Sequence, residues 1–173
     1  MTLYRAMGAD ENVDFARWYA EQHPRVLTAL LLVTGDFDAA QEAADEAFVR
    51  AYTDWGRVSK MRSRQGWTYQ VALNFLRRRA RRARLEQIVL ARQAPRPNVP
   101  APAGEAWEAV RRLPPRQRTA IVLRFVADLT EEQVGIAMGV SRSTISTSLA
   151  DARRSLAVML ADSGDGAVEM RCV

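Results

Sequence analysis

The stretch "QAPRPNVPAPAG", residues 93–104, constrains the fold most. Pro95, Pro97, Pro100 and Pro102 have no backbone N–H to donate and favour extended geometry. Neither a helix nor a central strand runs through such a segment. It marks a semi-rigid linker at 93–104 between two units, 1–92 and 105–161. Residues 162–173 carry glycines and no amphipathic stripe, and are expected to form a flexible tail. With 173 residues, 48% of them hydrophobic, the chain can fill two small cores.

Helical spacing dominates both units. No segment alternates apolar and polar residues for long, and no Asn-Gly or Asp-Gly turn separates β-rich runs. "VDFARWYAEQ" predicts a first helix ending near His23, since a residue before proline disfavours helical geometry. "PRVLTALLLVTG" predicts a second, stopped by Gly35. Asp36 or Asp38 caps "AAQEAADEAFVRAYTDW", which ends at Gly56. A loop, "RVSKMRSRQG", leads to one long helix from Trp67, with Trp67, Val71, Phe75, Leu85 and Ile88 on its buried side. Beyond the linker come "EAWEAVRRL", a helix opened by Pro115, "TEEQVGIAMG" with Thr130 and Gln133 at capping-box spacing, and a last helix led by Ser141 to about Leu160. The fold class is all-α: two small helical domains, the second containing a helix-turn-helix.

Charge is unevenly placed. Residues 1–56 hold 4 basic and 10 acidic side chains, 57–93 hold 11 and 1, and 94–173 hold 10 and 9. An acidic block beside an intensely basic one points to two different partners, and the basic block to a polyanion. The lone Cys172 excludes an internal disulfide and fits a reducing cytoplasm. The lone His23, with no Cys or His near it, argues against zinc or haem and reads as a surface residue at a helix end. No apolar run reaches membrane-spanning length, and the first residues lack a secretory pattern. No Gly-rich phosphate loop, nucleophile–base pair or metal cluster supports catalysis, so no cofactor and no metal are expected.

Three motifs carry the functional reading. In "GVSRSTISTSLADARR", Gly139 allows a left-handed turn, and Ile145, Leu149, Ala152, Leu156 and Leu160 form a core-facing stripe. Arg142, Ser143, Ser146 and Thr147 then face outward, where a helix-turn-helix places base-reading residues. A plain helical hairpin fits the same spacing. In "NFLRRRARRARLEQ", Arg77, Arg78, Arg79, Arg81, Arg82 and Arg84 cover most exposed positions of two turns. Such a run is either a solvated face or a nucleic-acid surface. Like charges four residues apart destabilise a free helix, which favours the second. In "DFDAAQEAADEAFVRAY", Phe48 and the alanines give a packing face, while Glu42, Asp45 and Glu46 form an acidic patch fit for a basic partner or for plain solvation.

Taken in order, these segments resemble the extracytoplasmic-function sigma factors, small two-domain initiation subunits of bacterial RNA polymerase, and among them the short actinobacterial forms. "LLVTGDFDAAQEAADEAFVRAY" and "WTYQVALNFLRRRARR" look like region 2. "RLPPRQRTAIVLRF" followed by "GVSRSTI" looks like region 4 and is the most specific part. The resemblance implies that Glu42, Asp45, Glu46 and Phe48 dock on a coiled coil of the polymerase's largest subunit. It implies that the loop 60–66, with Arg62, Arg64 and Gln65, captures a base flipped from the minus-ten element, and that Asn74 and the arginines follow the DNA. The last helix would read the minus-thirty-five element.

One departure matters. Where the family carries basic residues, this chain has Ser146, Ser148 and Asp151. Each lost phosphate contact lowers affinity and salt dependence. Minus-thirty-five binding is therefore expected to be weak alone and to lean on tethering through polymerase. The implied function is a promoter-specificity subunit, not an enzyme, acting with core polymerase and promoter DNA and held in some relatives by an anti-sigma protein. A stand-alone helix-turn-helix regulator and a polymerase- or anti-sigma-binding decoy are the alternatives.

Overall fold

Helix α1 spans Ala9–Thr34 in the computed structural model, which describes the backbone of residues 8–89 and 104–169 and the side chains of 8–83 and 104–161. The helix passes through Pro24 without a break. Two helices had been expected here. Proline removes one backbone hydrogen bond, but Trp18 and Val26 are buried on either side of it, and that burial holds the turn. Gly35, at φ 71°, ends the helix in the left-handed conformation, with its N–H bonded to Leu31 O.

Helix α2, Phe37–Thr53, is capped by Asp36, whose carboxylate accepts from Ala39 N. Its buried stripe is almost all alanine: Ala39, Ala40, Ala43, Ala44, Ala47 and Ala51, with Phe48. Small side chains let two other helices approach it closely. Helix α1 packs on one flank, and α4, Arg64–Val89, on the other. A single turn, α3, Trp55–Val58, closes the corner. Phe15, Trp18, Tyr19, Phe48, Tyr52 and Trp55 form a ring cluster with centroids 5.0–6.0 Å apart. Expected near Trp67, the long helix starts at Arg64. It buries Tyr69, Val71, Ala72 and Leu73 on more than one face, because neighbours flank it on two sides. Burial pushes the pKa of the Tyr69 hydroxyl up, and that hydroxyl donates to Arg25 O at 3.3 Å.

The second unit contains α5 (Glu105–Arg112), α6 (Pro115–Phe125), α7 (Glu131–Met138) and α8 (Arg142–Glu169). Thr130 and Gln133 form the expected capping box. Gly139 makes the expected left-handed turn, at φ 71°. Ile145, Leu149 and Ala152 are fully buried, Leu156 packs partly, and Leu160 lies exposed. Helix α8 continues to Glu169 rather than ending near Leu160. Interior glycine costs about 1 kcal/mol per residue, too little to force a stop at Gly164 or Gly166. The 93–103 part of the linker and residues 170–173, Cys172 included, lie outside the described residues.

The described residues are all-helical, with eight helices and no strand. The buried side chains form one continuous cluster across both units. Helix α4 packs along α7, and α1 meets α6.

Candidate nucleic-acid and docking surfaces

The arginine run sits on the outer side of α4. Asn74, Arg77, Arg78, Arg79, Arg81 and Arg82 are all exposed. Their chemistry differs by neighbour. Arg77 Nη1 donates to Asn74 Oδ1 at 2.8 Å, and Arg77 Nη2 to Met138 O at 3.3 Å, the last carbonyl of α7. Arg79 pairs with Glu42 of α2. Arg78, Arg81 and Arg82 have no ion-pair partner among the described residues. They form a free cationic ridge of the kind that tracks a phosphate backbone.

The loop before α4 is arranged differently. Arg62 makes a two-pronged pair with Glu132 of α7, both contacts at 3.3 Å. Gln65 Nε2 donates to Gln22 Oε1 at 3.1 Å and Gln65 Oε1 accepts from Gln133 Nε2 at 3.3 Å, so three amides join α1, α4 and α7. Gly66 is buried against α7. A Cβ there would lie 3.0 Å from Gln133 O and 3.3 Å from Ile136 Cβ. Arg64 turns instead over the Trp55 ring, 5.7 Å from its centroid. Of the residues expected to capture a base, Gln65 is thus bonded to the first helix of the helix-turn-helix, Arg62 pairs with it from the surface, and Arg64 turns away from it.

An open groove lies on the other flank of α4. Its lining includes Arg50, Asp54, Arg57, Trp67, Gln70, Asn74 and Arg78, and Arg57 also pairs with Asp54 at 2.9 Å. Arg57 stacks over Trp67, 5.8 Å from the ring centroid. Cations beside an aromatic face and two amides suit an unstacked nucleotide. Sequence reasoning named Asn74 and Arg78 but missed Arg50, Arg57 and Gln70, and set Trp67 aside as core. Trp67 is in fact partly buried. The signal for Arg57 was present, an arginine ten residues before a tryptophan. Only the α3 turn reveals that the two meet.

The acidic face of α2 keeps Asp45 exposed, with Val49 and Tyr52 exposed further along the same helix. Glu46 pairs with Arg50 at 2.5 Å. Phe48 is only 3% exposed, enclosed by Trp18, Tyr19 and His23. It cannot touch a partner and acts as core. His23 is not a surface residue at a helix end. Its ring stacks near Tyr19 and Phe48, and Nε2 lies 3.5 Å from Asp45 Oδ1.

On α8, Arg142, Ser143, Ser146 and Thr147 are exposed, as the spacing predicted. Ser141 Oγ accepts from Thr144 N at 3.2 Å and caps the helix. Thr147 and Ser148 donate back to the carbonyls of Ser143 and Thr144. Arg142 lies 3.5 Å from Glu131, and Asp151 pairs with Arg154 at 3.0 Å. Asp151 shares a groove with Pro114, Arg116, Gln117, Ser143 and Thr147, so it does lie on the outward side. Gly135 lies where α7 meets the turn. A Cβ there would stand 2.8 Å from Val140 O, so the glycine permits a close approach of the turn to α7. Among the described residues no cluster could hold a metal, and no helix is long and apolar enough to cross a membrane.

A search of curated proteins finds no match. Two solved structures share the fold. The sigma factor RpoE of Bartonella quintana, in complex with the anti-sigma factor NepR, superposes with a TM-score of 0.73 at 18% identity, covering 85% of this chain and 96% of that one. CnrH, in complex with the cytosolic domain of CnrY, gives 0.61 at 18% identity, covering 87% and 90%. Residues 103–156 match the family model for sigma-70, region 4. The helix-turn-helix of this chain thus lies in a stretch similar to sigma-70, region 4, on a fold shared with the RpoE and CnrH sigma chains.

Proposed function

We propose that the chain is a promoter-specificity subunit that directs bacterial RNA polymerase to selected promoters and helps open the minus-ten element. One observation carries this reading. An exposed acidic face on α2 and an arginine ridge on α4 stand side by side, in a chain whose residues 103–156 match region 4. A stand-alone regulator has no use for the acidic face. Residues 1–92 act as the unit that docks and engages the minus-ten element, and 105–161 as the unit that reads the minus-thirty-five element. Glu42, Asp45 and Glu46 meet a basic coiled coil of the largest polymerase subunit. Arg78, Arg79, Arg81 and Arg82 follow phosphates, with Asn74 reading a base at the groove beside Arg57 and Trp67. Arg142, Ser143, Ser146 and Thr147 face the major groove. Arg62, Gln65 and Arg77 take part once α7 moves away from α4, and Arg64 once it leaves the Trp55 ring. The work is cytoplasmic, where polymerase and promoter are. An anti-sigma protein is a further partner, by extension from RpoE and CnrH.

The test is run-off transcription with core polymerase. Adding the chain makes an inert core initiate at selected promoters. Core binding without initiation would instead identify a decoy.

A further inference from the structure

The acids of α2 and the arginines of α4 are expected to serve different partners, yet they are joined to each other. Arg79 of α4 pairs with Glu42 of α2, their side chains 42% and 52% exposed. Glu46 holds Arg50 at 2.5 Å. One groove collects Glu42, Glu46, Arg50, Arg78, Arg79 and Arg82. Arg50 and Arg78 also line the neighbouring groove with Trp67 and Asn74. Arg78 and Arg82 lie one turn apart and have no acid partner among the described residues, while Arg79 beside them is taken.

We infer that Glu42 is a placeholder for phosphate: it occupies Arg79 until a basic partner claims the carboxylate, and docking then releases Arg79 to nucleic acid. Glu46 and Arg50, one turn further along α2, form a second pair in the same groove, within one helix. The inference rests on the proposed function, whose two surfaces it connects, and supplies a physical link between docking and DNA affinity. The pair is exposed, so exchange is easy; a buried pair would not open this way. By linkage, phosphate taking Arg79 frees Glu42 for the docking partner by the same factor.

The experiment uses the full chain and a fluorescent single-stranded oligothymidylate, titrated across a salt series. Glu42→Gln keeps the side-chain shape and removes the claim on Arg79. It tightens oligonucleotide binding about 2- to 4-fold and steepens the log–log salt dependence by about 0.7, the increment for one more single-strand phosphate contact. Asp38→Asn, the same charge change at an exposed α2 carboxylate with no arginine partner among the described residues, tightens it less than half as much. In an Arg79→Ala background, Glu42→Gln gives no gain. Equal gains from Asp38→Asn, or an undiminished gain without Arg79, would reduce the effect to net charge and overturn the inference while leaving DNA binding intact. If no variant binds the oligonucleotide, the reading of α4 as a DNA surface falls as well, a different result.

Discussion

Helices α4 and α8 both face nucleic acid in the proposed function, and they are built in opposite ways. The exposed half of α4 is charge without order: Arg78, Arg81 and Arg82 project with no partner among the described residues. The start of α8 is order without charge. Ser141 caps it, Thr147 and Ser148 bond back to its own turns, and Asp151 is neutralised by Arg154. A charged ridge gives affinity that ignores sequence and falls with salt. A pre-ordered hydroxyl surface gives little affinity, and selectivity only once something else holds it in place. The pair divides holding from reading.

The comparison breaks most visibly at α4. Replacing Arg78, Arg81 and Arg82 with Ala is expected to lower promoter affinity of the reconstituted holoenzyme about 100-fold at moderate salt and to flatten its salt slope by two to three. Filter binding across a salt series measures this, and core affinity stays unchanged. Next is Gly135→Ala. Its Cβ would press on Val140 O and shift the turn that aims α8, costing about 2 kcal/mol and roughly 4–8 °C in Tm by calorimetry. Thr130→Ala removes the cap of α7 and costs about 1 kcal/mol, read in the same scan. The smallest effect sharpens the comparison instead. Asp151→Arg places a cation on the α8 face, raising promoter affinity a few-fold and the salt slope by about one. A 100-fold gain would show that α8 had been the limiting contact all along.

Local features were legible wherever chemistry acts over a few residues. Asp36, Gly35, Thr130, Gly139 and Ser141 end or begin helices as their types require. Pro24 misled, because the packing of Trp18 and Val26 outweighs one lost hydrogen bond. Phe48 misled for a related reason: its position on α2 is shared by a docking face and a packing face, and only α1 decides between them. The seam between α4 and α7 left no trace in the sequence. Gln22, Gln65 and Gln133 are ordinary surface residues until three helices converge. The fold class needed only periodicity; the occupation of Arg62, Gln65 and Arg77 needed coordinates.

That seam also changes how the chain comes apart. With a proline-rich stretch of sequence between them, the two halves would be expected to melt as independent bodies. But Gly66 lies flush against α7, Arg77 holds the end of that helix, and the apolar interior runs through the contact without interruption. Parting the halves exposes core from each, so losing one weakens the other. The polypeptide is thereby a single cooperative unit at rest, and two units only when a partner meets the cost of separating them.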